Sequence, residues 1–195
     1  MLEERVFNLF RESVEAKMNV GEALAPILAA TSEVLVSALL NERKILCCGN
    51  GSSSALMQIF SSAMLDRFER ERPSLPAICL GSHAATYTSI AADNRFNEIY
   101  SKPIRALGDQ GDILLLATTS GNAANLVQAV GAAHDRNMRV VALTGRDGGD
   151  ISALIDEHDI EIRAECQSRT RIHEIHLLCI FCLCDLIDHQ LFGLS

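Results

Sequence analysis

The chain has 195 residues, enough to bury the core of one domain, and its composition is that of an ordinary globular protein. The formal net charge of −8 argues against a direct nucleic-acid partner, because a phosphate backbone selects basic surfaces. The seven cysteines lie mostly in apolar runs, so we expect buried, reduced thiols in a cytoplasmic protein rather than a disulfide framework.

The last apolar run raises the questions of a membrane span and of a metal site. The run Leu177–Cys184 is followed by Asp185, so we expect no segment of membrane-spanning length and no membrane partner. Cys179, Cys182 and Cys184 follow a helical apolar pattern without a second cysteine pair, which favours packing in the core over a metal site.

The N-terminal apolar residues keep helical spacing and predict two helices, over 3–19 and 21–41. Both precede the first strand, so they are not crossover helices. They either cap one face of the domain or pack against copies of the chain, and we favour the second interpretation. A single domain of residues 1–195 is then divided into an oligomerisation segment, 1–41, and an α/β core, 42–195.

From residue 43 onward, apolar runs alternate with helical patterns. The strands are predicted at 43–48, 76–80, 112–117, 139–143 and 159–163. The helices are predicted at 53–70, 85–92, 96–107, 122–136 and 169–192. This alternation predicts an α/β fold with a parallel sheet covered by helices on both faces. Ligands bind such sheets at the carboxyl ends of the strands.

Two strand-to-helix turns consist of small polar residues, Gly49–Ser54 and Thr118–Asn122. The free N–H groups at a helix N-terminus, with hydroxyls beside them, form a site for phosphate. Ser, Thr and Asn also cap helices without any ligand, but two such turns at strand ends favour binding. The candidate ligand residues are Asn50, Gly51, Ser52, Ser53, Thr118, Thr119 and Ser120.

The first turn resembles a dinucleotide-binding fingerprint, but Ser54 stands where the third glycine belongs. No acidic residue ends the second strand, and no Gly-Lys-Ser/Thr follows the turn, which excludes the nucleoside-triphosphate loop. Hydroxyls without a lysine suit a monophosphate on a small polar molecule, such as a sugar phosphate.

Six short motifs, spread over nearly the whole chain, together resemble one family. They are Cys48-Gly49-Asn50-Gly51, Glu71-Arg72-Pro73, Thr119-Ser120-Gly121-Asn122, Leu143-Thr144-Gly145, Asp147-Gly148-Gly149 and Arg171-Ile172-x-Glu174. The family is that of SIS (sugar isomerase) domains, in the branch of the sedoheptulose 7-phosphate isomerases and the DnaA initiator-associating proteins. The resemblance implies a flavodoxin-like sheet of five parallel strands and a homotetramer with sites between subunits.

The resemblance also implies a phosphosugar site. Ser53, Thr118 and Ser120 match phosphate-binding positions of the family, whereas a further phosphate-binding serine is Ala123 here. Asp93 matches an aspartate that contacts substrate in the isomerases.

In the isomerases of this branch, catalysis uses a zinc ion held between two helices. The matching positions here are Ile59, Ala63, His173 and Phe181, of which only His173 can bind metal or carry a proton. The resemblance therefore predicts no zinc and no other cofactor, with zinc expected only if the chain is an isomerase.

Two replacements for the lost zinc site stay open from the residues alone. His173 and His176 are three apart on a predicted helix, which would place them on one side as a chelating pair. A metal-free isomerase with Glu174 or Asp93 as its base is the other. Histidines hydrogen-bonded at a subunit interface are the plainer interpretation, and we favour it.

Three functions follow from the resemblance. The first is a non-catalytic homotetramer that binds the replication initiator DnaA, with Leu191 and Phe192 at the partner surface. That pair would equally well complete the apolar stripe of the last helix. The second is sedoheptulose 7-phosphate isomerase, of lipopolysaccharide heptose synthesis. The third is a sugar-phosphate sensor. The missing zinc positions favour the first.

Overall fold

The computed structural model describes residues 1–193. Its strands are β1 (Ile45–Gly49), β2 (Ala77–Cys79), β3 (Ile113–Ala117), β4 (Arg139–Gly145) and β5 (Ile160–Ala164). Its α-helices are α1 (Leu2–Leu40), α2 (Ser52–Leu65), α3 (Ala84–Ala92), α4 (Ser101–Leu107), α5 (Ala124–Asp135), α6 (Gly149–Ser152) and α7 (Arg169–Phe192). Short 3-10 helices span Leu80–Ser82 and Phe96–Glu98.

The five strands form one parallel sheet in the order β2-β1-β3-β4-β5. Every residue of β1 and β3 is buried, as expected for central strands of a parallel sheet whose two faces are both covered. The predicted flavodoxin-like α/β fold is confirmed. The strand order reverses direction between β1 and β3, which places the expected ligand crevice above these two strands.

Each face of the sheet has its own apolar core. On one face, α1, α2 and α7 contribute side chains such as Leu35, Phe60 and Ile180. On the other face, α4 and α5 contribute side chains such as Ile104 and Leu126. Alternate residues of each strand point to the two cores, which explains the uninterrupted apolar runs in the sequence.

The N-terminal prediction of two helices is wrong, because α1 is one continuous helix of 39 residues. The predicted break between residues 19 and 21 lies inside it, and so do Gly21 and Pro26. A glycine costs a helix only about 1 kcal/mol, which tertiary packing can offset. The predicted helix over 96–107 is divided between a 3-10 turn and α4, and α6 was not predicted.

Helices α1 and α7 lie side by side and run parallel. The Ser13 hydroxyl donates to Glu174 Oε2 at 2.5 Å, and Gln190 Nε2 donates to Ser32 Oγ at 2.7 Å. The two bonds fix the register of the helices at both ends of their contact.

Contrary to expectation, α1 and α7 are both long and apolar enough to cross a membrane by length and composition. Core helices of folded domains pass the same test. Helix α7 packs against the sheet, with Ile172, Ile180 and Leu183 fully buried, and the two helices are therefore weak evidence for a membrane span.

Candidate functional site

The first polar turn leads from β1 into α2 and requires glycine at two positions. A Cβ on Gly49 would lie 2.9 Å from the backbone carbon and oxygen of Ser53, and Gly51 has a φ of +55°. The backbone N–H of Ser53 donates to Asn50 O at 3.0 Å, and the Ser53 side chain is only 3% exposed. The turn brings Ser52 and Ser53 to the N-terminus of α2, where free N–H groups and the helix dipole favour an anion.

Asn50 joins the first polar turn to α5, the helix that follows the second turn. Its amide exchanges two hydrogen bonds with the amide of Asn125, each of 2.8 Å, and it accepts a further bond from the Tyr100 hydroxyl at 3.3 Å. The Tyr100 hydroxyl also donates to Gly49 O. The structure therefore gives the predicted ligand residue Asn50 a positioning contact. Asn125 and Tyr100 were missed by sequence reasoning, although Asn125 stands out as a polar residue at a buried position of α5.

The second polar turn is organised by Thr118. Its buried Oγ1 accepts from the backbone N–H of Gly121 at 3.1 Å and of Ser120 at 3.4 Å. A Cβ on Gly121, whose φ is +72°, would lie 1.8 Å from Gly148 O, so only glycine fits. Thr118 thereby shapes the turn, while the partly exposed Thr119 and Ser120 stand at its surface.

The sheet brings the two turns together. β1 and β3 are paired along their whole length, with Gly49 opposite Ala117, so both turns leave the same edge of the sheet next to each other. This is the arrangement predicted from the sequence for one anionic ligand between two turns. The strand pairing places both turns at the point where the winding changes direction, which is where parallel sheets bind ligands. We call these two turns the anion cradle.

Asp93 lies apart from this hydrogen-bond network. It ends α3, its side chain is 63% exposed, and its carboxylate pairs with Arg95 Nη2 at 2.7 Å. The structure joins Asp93 to Arg95 and to neither turn.

The four positions that match zinc ligands in the isomerases lie on α2 and α7. Ile59 is on the exposed side of α2, and Ala63 is partly buried. The Phe181 ring packs against Phe68 with centroids 5.8 Å apart. These three side chains contain no atom that can bind zinc, so the residues do not fit the metal. We call this region, Ile59, Ala63, His173 and Phe181, the α2/α7 cleft.

The two histidines of α7 do not form a chelating pair. His176 is fully buried, and its Nε2 lies 2.8 Å from Thr144 O, which makes this nitrogen a donor. Burial lowers the pKa of His176 to about 4. Both ring nitrogens of His173 are buried without a hydrogen-bond partner. Burial, followed by the nearby Arg169 charge, lowers the pKa of His173.

Glu174 is not free to act as a base. Arg171 Nη1 donates to its two carboxylate oxygens at 2.8 and 2.7 Å, and Ser13 donates to Oε2. These three hydrogen bonds hold the carboxylate in place and orient it towards α1. Of the two candidate bases for a metal-free isomerase, Glu174 is therefore engaged in structural contacts, which leaves Asp93.

A buried ion pair lies beside the α2/α7 cleft and links the two helices. Arg72 Nε donates to Asp188 Oδ1 at 2.8 Å, and the two side chains are 1% and 7% exposed. Arg72 also donates to Ala63 O at 2.6 Å and to Met64 O at 2.7 Å, so it ties the end of α2 to α7. The sequence showed Arg72 only as part of a family motif, and nothing in it marked the arginine as buried.

One other group could in principle hold a metal ion. Among residues 1–193, ligand atoms of His134, Asp156 and Asp159 lie within 4.8 Å of one another. However, the carboxylate of Asp159 already accepts from Val140 N at 2.8 Å and from Asp156 N at 3.2 Å, and pairs with His134 Nε2 at 2.8 Å. These contacts account for the group as a structural link between α5 and β5.

Comparison with known proteins identifies the family. The model of the SIS domain matches residues 9–145. The chain belongs to the SIS-domain family. A phosphoheptose isomerase of Chromohalobacter salexigens is 56% identical over 191 residues, which are 98% of this chain and 97% of the relative. The DnaA initiator-associating protein DiaA of Edwardsiella ictaluri is 48% identical over 189 residues, which are 97% and 96% of the two chains.

The solved structures agree with this assignment to the SIS family. A phosphoheptose isomerase from Francisella tularensis superposes with a TM-score of 0.93 at 42% identity, covering 97% of this chain and 99% of the other. Relatives of both names therefore span nearly the full length of this SIS chain, and overall similarity does not separate them. A distinction between an isomerase and a DiaA-type protein therefore has to be argued from individual side chains.

The predicted partner residues Leu191 and Phe192 end α7. Both are partly buried, and Leu191 packs against the core formed by α1, α2 and α7. Gly193, with φ +65°, ends the helix in the left-handed conformation. Leu191 is thus partly a core residue, and Phe192 is the better candidate for contact with another protein.

Proposed function

We propose that the chain is a non-catalytic SIS protein of the DiaA type. In this proposal it is a cytoplasmic homotetramer that binds DnaA and regulates the initiation of chromosome replication. The observation that carries the proposal is the chemistry of the α2/α7 cleft, where Ile59, Ala63 and Phe181 stand at positions that bind zinc in the isomerases.

An aldose–ketose isomerase moves a proton between adjacent carbons. It needs a base near those carbons, an acid for the oxygen and a group that stabilises the enediolate. Hydrocarbon side chains at Ile59, Ala63 and Phe181 supply none of these. Of the other candidate groups, His173 has a lowered pKa, Glu174 is held by Arg171, and Asp93 is paired with Arg95. The proposal therefore assigns no catalytic residue to the chain.

The anion cradle supports ligand binding without turnover. The N-terminus of α2 at Ser52, together with the hydroxyls of Thr119 and Ser120, suits a sugar phosphate. A bound sugar phosphate that is not converted can act as a metabolic signal, which makes the sensor role compatible with the regulator. In a tetramer, several equivalent surfaces would raise the local concentration of DnaA.

A second candidate, sedoheptulose 7-phosphate isomerase, is favoured by one observation. The relative that is 56% identical carries the name phosphoheptose isomerase. This candidate requires a bound metal or another acid–base pair in the α2/α7 cleft.

Metal content and turnover distinguish the two candidates. We expect the purified chain to hold well under one zinc per subunit and to convert no sedoheptulose 7-phosphate. The matched control is the triple variant Ile59→His/Ala63→Glu/Phe181→His, which restores three ligands beside His173 and is expected to bind zinc. Stoichiometric zinc with turnover in the unaltered chain would refute the regulator.

Binding to DnaA is tested by co-precipitation of purified proteins. Phe192→Ala is expected to reduce DnaA recovery at least tenfold while light scattering shows an unchanged oligomer. Phe96→Ala, which removes another exposed phenylalanine, serves as the control and is expected to have no effect. If Phe192→Ala recovers DnaA in full, Phe192 does not belong to the partner surface, and failure of the unaltered chain to recover DnaA refutes the proposal.

A further inference from the structure

A cavity lies between α3 and α4, on the face of the sheet opposite to the α2/α7 cleft. Its volume of about 430 Å³ is within the range of small-molecule sites in proteins. We call it the α3/α4 pocket, and its lining includes Leu80, His83, Tyr87, Ile99, Lys102 and Ala106. The residues that line it within 1–193 include none from the two polar turns, so it is separate from the anion cradle.

The floor of the pocket is apolar and continuous with the core on this face of the sheet. Leu80, Ile90 and Ile99 line it and are only 2%, 7% and 4% exposed. The Tyr87 ring forms a wall and packs edge-on against the Tyr100 ring, with centroids 5.6 Å apart. Because packing already fixes these side chains, an apolar ligand would lose little free energy in ordering them.

Short side chains on α4 leave the space between the two helices open. Pro103 and Ala106 line the pocket from α4, and neither side chain fills the space up to α3. Leu107 ends α4, lines the same pocket and is 43% exposed. An apolar concave surface of this kind, with a few polar groups at its edge, is typical of sites for small molecules.

The charged groups at the mouth of the pocket are basic. His83 directly precedes α3, and Lys102 lies in the first turn of α4. The lining residues within 1–193 include no carboxylate. Lys102 pairs with Glu98 at 3.6 Å, but both side chains are more than a third exposed, so the pair is weak and leaves the ammonium group available to a ligand.

We propose that the α3/α4 pocket binds a small carboxylate with an apolar body. The carboxylate lies at Lys102 and His83, and the apolar body lies on the floor. A sugar phosphate does not suit this pocket, because its hydroxyl groups would face an apolar floor without hydrogen-bond partners. The charges at the mouth disfavour an amine. The inference depends neither on DnaA nor on the anion cradle.

Calorimetric titration with octanoate tests the class of ligand. We expect saturable binding of one octanoate per subunit of the unaltered chain. Butanoate should bind at least tenfold more weakly, because it has four fewer methylene groups to place on the floor. Octylammonium, which has the same chain length and the opposite charge, should also bind at least tenfold more weakly. Octanoate that does not saturate a site, or octylammonium that binds equally well, overturns the proposal.

Substitutions test the position of the ligand. Lys102→Met keeps most of the side-chain stem, removes the charge and should weaken octanoate binding at least tenfold. Arg105→Met is the matched control, because Arg105 is a cation of the same helix that pairs with Asp135 at 3.6 Å and does not line the pocket. It should leave the affinity unchanged. Equal affinities of the Lys102→Met variant and the unaltered chain would show that octanoate does not bind at this mouth.

Two further variants fill the pocket from opposite sides. Ala106→Phe from α4 and Thr86→Phe from α3 should each abolish octanoate binding, and thermal unfolding shows whether each variant is folded. Both residues are exposed, so a larger side chain can be accommodated. If one variant does not fold, the other decides. Full affinity in a folded variant overturns the proposal.

Two measurements exclude other sites and other occupants. Saturating inorganic phosphate should leave the affinity for octanoate unchanged, whereas competition would place octanoate in the anion cradle and overturn the proposal. Light scattering should show the same oligomer with and without octanoate. Binding that occurs only as the oligomer dissociates would mean that a second copy of the chain covers the pocket, which also overturns the proposal.

Discussion

The two polar turns and the α2/α7 cleft differ in where their chemistry comes from. At the turns, an anion would be held by backbone N–H groups and by the hydroxyls of Thr119 and Ser120, which the fold itself positions. In the cleft, chemistry depends wholly on side chains, and Ile59, Ala63 and Phe181 carry none. The fold itself therefore positions the polar turns, whereas any reaction in the cleft depends on which few side chains stand there.

The largest effect is expected at the ion pair beside the cleft. Arg72→Leu leaves Asp188 charged and buried without its partner, and we expect a loss of about 3–5 kcal/mol in the free energy of unfolding. Urea denaturation measures it. Arg67→Leu is the matched control, since the Arg67–Glu71 pair is exposed and should contribute less than about 0.5 kcal/mol. Equal losses for the two variants would mean that the cleft does not depend on Arg72.

A substitution that displaces the backbone of the second turn should reduce stability nearly as much. Gly121→Ala places a Cβ against Gly148 O at a residue with positive φ, and we expect about 2–4 kcal/mol of destabilisation. Gly131→Ala in α5 meets nothing within 4 Å and should instead stabilise the protein by about 0.5–1 kcal/mol. Thermal unfolding of both variants compares them. A tolerated Gly121→Ala would show that the turn is not fixed by this contact.

Acid should weaken the protein through α7. The pKa of buried His176 is lowered from 6.5 to about 4, so unfolding takes up a proton between these values. The corresponding stability is complete above pH 6.5 and is lost as the pH falls towards 4, by up to about 3 kcal/mol. His176→Gln keeps a donor for Thr144 O and does not titrate. The difference in unfolding free energy between pH 7 and pH 4.5 should shrink in this variant, and an unchanged difference would assign the acid sensitivity to other groups.

The smallest effect is expected from a single hydroxyl of the second turn. Thr118→Val removes the acceptor for the backbone N–H of Gly121 and Ser120, and we expect about 1 kcal/mol of destabilisation. The increase in unfolding free energy that inorganic phosphate is expected to give should also become smaller. Thr119→Val, at the surface of the turn, should reduce phosphate protection while leaving stability within about 0.5 kcal/mol. If phosphate stabilises neither the variants nor the unaltered chain against unfolding, the hypothesis that the two turns bind an anion is wrong.

The sequence predicted the α/β core closely because each of its elements carries a local pattern. The strands over 45–49 and 113–117 are uninterrupted apolar runs, and the polar turns that follow them are recognisable from their residue types. It failed at α1, where the predicted break between residues 19 and 21 lies inside one helix that is hydrogen-bonded to α7 on both sides of this point. It also gave no sign that Arg72 is buried, since burial of an arginine depends on Asp188, 116 residues away.

The residue types alone predicted the class of fold and the two polar turns, because these depend on periodicity and on which atoms a side chain contains, whereas the positions that match zinc ligands were found through the family resemblance. Tertiary structure decided which of those atoms are already engaged. The sequence left Glu174 available as a base and Asn50 available as a ligand residue. In the structure, Glu174 accepts from Ser13 and Asn50 is bonded to Asn125, and both partners are distant in sequence. Long-range packing sets those contacts, and no local pattern encodes them.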